Sequence, residues 1–541
     1  MHGAKRLKDP VYGYIDIPLD FMTNIVDTAN FQRLRRIIQT SYSPLYSSAV
    51  HNRFVHSMGV YHLGEIAFMQ LKKEFETKGA PPELNLDKVK KVFLLACLLH
   101  DVGHAPFSHT GETFYLDSNT GYTTLHETLS LSVSKESFTK DIPKADSKAA
   151  APHEIMSAII GIKEYADFFI DAEEKEFFAR CITGYDYSEI TTINSIYNCF
   201  ISLLNSNVID VDKLDYLIRD AYITGFGTVN IDYERLLTSL TITKKEGTYT
   251  LAYHKNAISV IENVIYAHDS ERKWIQSHPT VLYESYLLQH IISHLIAKMD
   301  HGDQHLFSLQ SLGKTGQTFD NGISIKLLCD DDIVYLMKNL YYNDFCEEFF
   351  ERQSRRHPIW KSEAEYNAFF LGTVGSGDLV ENFEKAMKAT ALYLSKSSDS
   401  WVINEALIAK IQNELEDLNS ALLNDKTKAV QKDNKKNILK IVQSLKSYAE
   451  KMQIECNFVI LMATQFNSGF GKEDFSSIKI VFPREDQCDY VKQVGDIVSS
   501  LKARERKREN YFYLFYKRNN SNTMKLDSKS LCTALIKPFL D

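Results

Sequence analysis

The sequence predicts a mainly α-helical protein with a smaller α+β region toward its C-terminal end. Apolar residues recur at three- and four-residue spacing over 21–39, 58–77, 88–101, 154–170, 194–220 and 256–300, which is the period of an amphipathic helix. Strand-like runs are few and short, the clearest being TYTLAYH (248–254), NFVILMA (457–463) and SIKIVFP (477–483). With 541 residues, 44 % of them apolar and 24 % charged, the chain can bury a large core without disulfides.

In chain order, residues 1–310 form a helical body, 311–400 a mixed helical segment and 401–541 a C-terminal α/β region. Residues 116–152, rich in Ser, Thr, Lys and Asp, read as an insertion in the helical body, with TLHETLSLSV as a short helix within it. Residues 396–400 and 424–436 are expected to be linker or exposed loop. The basic run KARERKREN (502–510) reads as a solvated helix face.

A net charge of −8 gives no global drive toward nucleic acid or an anionic membrane, so any polyanion must be met by a local basic pocket. Eight cysteines are scattered without a CxxC pair, which favours a reducing, cytoplasmic setting over a disulfide framework. No apolar run approaches the length of a membrane span, and MHGAKRLKDP lacks the apolar core of a signal peptide.

The chemistry is concentrated in LLACLLHDVGHAPFSH (94–109), where an apolar helix gives way to His100, Asp101, His104 and His109. Neighbouring residues on a helix point about 100° apart, so a single ion can contact both His100 and Asp101 only near a helix end. Gly103 and Pro106 supply that end and exclude the continuous helix that a zinc-protease HExxH motif needs. His56 in HNRFVHSMG and Asp212 in NVIDVDKLDYLIRD are candidate partners. Two histidines and two carboxylates suit a divalent metal such as Mg, Mn, Fe, Ni or Zn.

The order His56, His100–Asp101, Asp212 resembles the HD phosphohydrolase superfamily. DPVYGYIDIP, ANFQRLRRIIQ, HNRFVHSMGV, LLHDVGHAPFSH and IDVDKLDYLIRD are similar, block by block, to the dNTP triphosphohydrolases, over roughly residues 5–300. The resemblance implies an HD-domain helical bundle, with His56, His100, Asp101 and Asp212 as metal ligands. It places His104, His109 and Glu112 (usually Asp in that family) along the phosphates. It also implies a downstream His–Glu pair, for which His126–Glu127 and His153–Glu154 compete. His153 and Glu154 are preferred because they precede the more apolar helix, and Glu154 is expected to orient His153 or His109.

By the same resemblance, Gln39, Arg53, Lys213, Tyr216 and Asp220 contact sugar or phosphate. Asp27, Gln32 and Arg35 match a regulatory-nucleotide site at a subunit interface, which implies a nucleotide activator and a homodimer or homotetramer. The chain departs from the family in ERKWIQSHPTVLYE (271–284), where tyrosines are replaced and Arg272, Lys273 and His278 stand as candidate phosphate partners. The expected activity is conversion of a dNTP to deoxynucleoside and triphosphate. The alternatives are a phosphodiesterase or nuclease acting on cyclic nucleotide or single-stranded nucleic acid, and a nucleotide-sensing scaffold.

Overall fold

A β-hairpin stands at the start of the fold, where the helical periodicity assigned a helical body from residue 1. β1 (Ala4–Asp9) pairs antiparallel with β2 (Gly13–Pro18). Asp9 Oδ1 accepts from the backbone N–H groups of Val11 (2.8 Å) and Tyr12 (3.0 Å), and Gly13 supplies the positive φ (81°) that closes the turn. Ile15 and Ile17 alternate inward.

The computed structural model describes residues 3–115, 121–144, 149–206, 209–227, 230–300, 304–370, 377–396, 401–420, 426–464, 478–482, 488–490, 510–517 and 526–539. It is mainly α-helical with small sheets. Two compact units are drawn from non-consecutive stretches: Met1–Glu271, Lys298–Leu336 and Ser468–Arg504 form one, and Arg272–Ala297, Met337–Asn467 and Glu505–Asp541 the other. The C-terminal stretch is thus shared between both units.

In the first unit the helices are α1 (Arg53–Lys78), α2 (Leu86–Leu99), α3 (Gly121–Val133), α4 (Pro152–Glu164), α5 (Ala172–Thr183), α6 (Thr192–Leu204) and α7 (Val211–Thr224). Side-chain caps start several of them: Asn52 Oδ1 accepts from Val55 N, Asn85 Oδ1 from Lys88 N, and Asp210 Oδ1 from Lys213 N. Phe200 of α6 is stacked on Phe68 of α1 (4.7 Å between centroids) and lies 5.7 Å from Phe93 of α2, fixing these helices around one aromatic centre. β3 (Leu240–Lys245) and β4 (Thr248–His254) form an antiparallel pair, and β4 also pairs in parallel with Lys479–Val481.

Three expectations need correction. Residues 21–39 are not one helix but short π, α and 3₁₀ turns at Met22–Val26, Ala29–Gln32 and Arg33–Arg36. Tertiary and local side-chain bonds replace the helical ladder there, among them Gln32 Nε2 to Val26 O and the Arg33 guanidinium to three carbonyls. The 194–220 helix is broken between Leu204 and Val211, where Asn205 bonds Ile182 O and Asp210 caps a new start. From Lys426 onward the 424–436 loop is helix: its polar residues extend Lys426–Met452, whose buried face is Ile438, Ile441, Val442, Leu445 and Tyr448. The insertion is helical over α3 and Glu136–Asp141, with Leu129, Val133 and Phe138 buried. Residues 116–120, 145–148 and 397–400, and 502–509 of the basic run, lie outside the described residues.

The second unit holds a three-stranded sheet of His357–Pro358, Asn510–Tyr516 and Phe458–Thr464, with Trp360 fully buried and donating to Phe512 O. No described helix is long and apolar enough to cross a membrane.

α1 and α7 meet at Gly59. A Cβ there would stand 1.8 Å from Asp215 Oδ1 and 2.5 Å from Arg219 Nη2, so only glycine admits the buried ion pair of α7. Gly59→Ala is expected to destabilise the fold by about 1–3 kcal/mol through overpacking. Urea denaturation followed by circular dichroism measures this, and a loss below about 0.5 kcal/mol would contradict so tight a contact.

Candidate metal centre

Three helix ends converge on one point. α2 ends at Leu99 and hands His100 and Asp101 to the following turn. His56 sits in the first turn of α1, and Asp212 in the first turn of α7. His56 Nε2 lies 2.9 Å from Asp212 Oδ1, 3.2 Å from His100 Nε2 and 3.7 Å from Asp101 Oδ2. His100 Nε2 is 3.6 Å from Asp101 Oδ1 and 3.7 Å from Asp212 Oδ1. His56, His100 and Asp101 are buried, and Asp212 is partly open.

Hydrogen bonds on the far side of each imidazole fix which nitrogens are free. His100 Nδ1 lies 2.9 Å from Cys97 O, which can only accept, so this nitrogen donates. His56 Nδ1 donates to Asp215 Oδ2 at 2.7 Å. With Nδ1 engaged on both rings, the two Nε2 atoms face each other and two carboxylates. Burial disfavours charge on His56, yet Asp212 and Asp215 outweigh it and push its pKa up to about 10. Asp101 and Asp212 are both held well below the usual carboxylate range. Against their burial, Arg53 and the two histidines favour ionised Asp101, and His56 and His100 favour ionised Asp212. The pocket calls for a cation, and a divalent metal fits this donor set of imidazole nitrogen and carboxylate oxygen.

Behind His56, Asp215 also receives the Arg219 fork through Nε and Nη2, both at 3.0 Å. Arg219 Nη1 reaches Asp9 Oδ2 at 3.0 Å, joining the hairpin turn to the site. Asp215, Arg219 and Asp9 are absent from the sequence-derived site. The one available signal was an Asp and an Arg four apart within apolar DYLIR, which also describes any helical ion pair.

A second cluster adjoins the first. His104 is stacked on His153 at 4.2 Å, and His109 lies 5.1 Å from each ring. Glu112 pairs with His153 Nδ1 and with His109 Nδ1 (3.1 Å). Burial opposes charge on His153, but Glu112 prevails and raises it to about 9. Glu112 is in turn held far below its ordinary value by His153 and His109. Burial and the nearby cations of Arg53 and His153 keep His104 neutral. Neither of its ring nitrogens has a hydrogen-bond partner among the described residues, although the side chain is fully buried. His104 Nε2 is 3.9 Å from Asp101 Oδ1, where the two clusters meet.

The structure brings His153 and not His126 to this cluster; His126 Nε2 bonds the Tyr185 hydroxyl instead. The orienting role expected of Glu154 falls to Glu112. Glu154 accepts from Ala151 N (2.5 Å) and Asn205 Nδ2 (2.7 Å), because its position at the start of α4 turns it back toward the helix cap. It faces a separate cavity of about 630 Å³, lined also by Asn205, Tyr253 and Lys479, that contains none of the clustered histidines.

Of the expected substrate contacts, Arg53 donates to Asp101 Oδ2 (2.8 Å), Ser108 Oγ (2.8 Å) and Gln39 O (3.3 Å). Gln39 Oε1 is buried and has no hydrogen-bond partner among the described residues. Lys213 Nζ is engaged by Asp210 Oδ2 and Ser206 O, each at 2.6 Å. Asp220 Oδ1 lies 2.7 Å from His51 Nε2, a buried neighbour not among the expected residues. Burial, together with Glu271, Asp212, Asp210 and Asp220, keeps the Tyr216 phenol protonated. Of the regulatory set, Arg35 Nε donates to Gln32 Oε1 (2.9 Å) and stacks on Phe54, and Asp27 follows the π turn. Arg272, Lys273 and His278 belong to the second unit, in and just after the π turn Arg272–Gln276.

Comparison with known proteins agrees with this geometry. Residues 53–187 match the family model described as HD domain. The chain is 26 % identical over 416 residues to the uncharacterized protein YwfO of Bacillus subtilis, covering 73 % of this chain and 80 % of that one. It is 30 % identical over 240 residues to the deoxynucleoside triphosphate triphosphohydrolase SAMHD1 homolog of Dictyostelium discoideum, covering 43 % of this chain and 39 % of that protein. Against SAMHD1 of Gallus gallus the identity is 32 % over 238 residues, 43 % of this chain and 36 % of that protein. The matched region thus spans less than two fifths of either triphosphohydrolase. A crystal structure of a hypothetical protein from Aquifex aeolicus superposes with a TM-score of 0.54 at 18 % identity, over 99 % of this chain and all of that one, which speaks for the fold. Residues 53–187 thus match an HD domain, and the arrangement of the site is similar to that of HD-domain phosphohydrolases. Within that class the chain resembles the deoxynucleoside triphosphate triphosphohydrolases.

The His153–Glu112 pair has a defined pH signature. Because the folded-state pKa of His153 is raised from 6.5 to about 9, its contribution to stability is complete below 6.5 and is lost as pH rises through 9. The stability difference between wild type and His153→Gln, measured by denaturation from pH 6 to 10, is expected to shrink over that window. A difference that stays constant across it would contradict the ion pair.

Proposed function

We propose that the protein is a metal-dependent deoxynucleoside triphosphate triphosphohydrolase, cutting a dNTP into deoxynucleoside and inorganic triphosphate. One observation carries the reading: a buried imidazole–carboxylate donor set meets, at Asp101, a second cluster of three histidines around Glu112. When bound, the divalent metal supplies Lewis acidity to a phosphoryl oxygen and acidifies water. The chain's own groups supply the rest. Water adds at the α-phosphorus, the bond from that phosphorus to the 5′-oxygen breaks, and the departing oxygen takes a proton.

His153, kept as imidazolium by Glu112, and His109 can donate to the phosphate and to the leaving oxygen. Neutral His104, with its nitrogens unpartnered, offers a further polar contact in the same cluster. Arg53 ties Asp101 to the loop and adds positive charge beside the phosphate path. Gln39, Tyr216 and Asp220 are read as the sugar side, and Lys213 as a phosphate contact once released from its cap. Asp27, Gln32 and Arg35 are read as the place of a nucleotide activator between subunits of a homo-oligomer. The dNTP assignment draws on the resemblance to the SAMHD1 proteins of Dictyostelium and chicken.

The test incubates purified protein with Mn²⁺ or Mg²⁺ and each dNTP, singly and in pairs, and resolves products by ion-pair chromatography. Deoxynucleoside plus triphosphate is expected, abolished in the His100→Ala/Asp101→Ala double variant. His109→Ala and His153→Ala are each expected to lower kcat by about 10²–10⁴-fold. Monophosphate plus diphosphate as products, or cleavage of oligonucleotide or cyclic dinucleotide with dNTPs left intact, would overturn the assignment.

A further inference from the structure

The turn that carries the second cluster is strained. Phe107 and Ser108 both have positive φ, 57° and 55°, a conformation that L-residues with side chains hold only when their surroundings impose it. At Ser108 ψ is −131°, which places it outside even the left-handed helical well. His109 follows directly, so this backbone bend determines where its ring points.

Two buried or partly buried side chains, Arg33 and Asp330, from segments far apart in sequence, grip the turn from both sides. The Arg33 guanidinium donates to Val102 O (3.1 Å), His104 O (2.5 Å) and Leu328 O (2.7 Å). It is 4 % exposed. Asp330 accepts from Phe107 N (2.6 Å) with Oδ1 and from Ile38 N (2.8 Å) with Oδ2. Ser108 Oγ donates back to Ile38 O at 2.5 Å and accepts from Arg53 Nε.

Asp330 lies in the run DDD (330–332), whose members do different things. Asp332 accepts from Cys329 N at the start of the helix Asp330–Asn339, and exposed Asp331 pairs with Arg36. Asp330 alone turns toward the site and bridges the strand-like segment ahead of Gln39 to the turn ahead of His109. Leu328, which receives Arg33, sits two residues before it, so both grips are anchored in the same short segment.

We propose that Asp330 and Arg33 are positioning residues: together they hold the 102–109 turn in its strained form and so aim His104 and His109, and with them Gln39, at the substrate. Neither contacts a proposed metal donor through its side chain, so their effect falls on the phosphate side and not on metal binding. The inference rests on the reading of His104 and His109 as phosphate-facing groups.

The test compares wild type, Asp330→Ala and Asp330→Asn, the last keeping a carbonyl acceptor for one of the two N–H donors. Four quantities are read on the full chain: thermal midpoint, Mn²⁺ affinity by calorimetry, kcat and KM for the dNTP turned over by wild type, and hydrogen exchange across residues 102–112. Asp330→Ala is expected to lose about 10²-fold in kcat/KM through misplacement of the reacting groups. Its Mn²⁺ affinity should be unchanged and its exchange at 102–112 raised, with Asp330→Asn intermediate in both respects. Unchanged exchange, an unchanged kcat/KM in a folded variant, or a parallel loss of Mn²⁺ affinity would each overturn the clamp. Wild type inert toward every dNTP would instead overturn the functional reading, and the exchange result would still report whether Asp330 holds the turn.

Discussion

The metal-donor set of the first unit centres on two imidazole nitrogens, His56 Nε2 and His100 Nε2, that face each other 3.2 Å apart. That arrangement is unfavourable by itself, and its partners ensure that it cannot relax. Cys97 O and Asp215 hold the opposite nitrogens as donors, and Asp101 and Asp212 close the remaining sides with negative charge. Cation binding is what such a pocket is stable with, since buried ionic groups left uncompensated cost several kcal/mol. The surrounding fold can be understood as the apparatus that prevents the four groups from separating. α1 and α7 close on each other over Gly59, α2 stops where it must, and the Asp215–Arg219–Asp9 chain anchors the assembly to the hairpin.

The second cluster uses the same physical means for a different end. Here a single carboxylate, Glu112, serves two imidazoles, and the balance favours keeping one of them charged. His104, stacked on His153, is pushed the other way by the cations around it. Side by side, one charged and one neutral ring give a surface that can both donate to an anionic oxygen and accept from a polar one. The division of labour follows from which ring reaches Glu112 and needs no difference in residue type.

Much of this was legible in the sequence, and the residues explain why. His100, Asp101 and Gly103 stand at an abrupt end of an apolar helix, so their convergence on an ion could be read locally. His56 and Asp212 needed the long-range order of a motif, because nothing nearby marks them. The β4 strand was visible because TYTLAYH alternates cleanly after a turn. The broken helix over 21–39 was not, since its apolar spacing is helical and only distant carbonyls divert it. Glu112 and Glu154 illustrate the remaining gap: both lie close to a histidine in sequence, and only the direction of the helix start decides which one meets the rings. Asp330 carried no signal at all, because one inward carboxylate among three consecutive aspartates looks the same as its neighbours.

The parallel pairing of β4 with Lys479–Val481 sets the order in which the molecule can be completed. Tyr253 finds its partner Ile480 more than two hundred residues later in the chain, whereas α1, α2, α6 and α7, with the aromatic centre at Phe200, are all available within the first 224 residues. During synthesis from the N-terminal end, the metal donors can therefore be gathered while the edge of β4 is still unpaired. An open strand edge invites pairing with other chains. The nascent protein must carry that exposed edge while more than two hundred further residues are made, and its own late-arriving strand is what finally covers it.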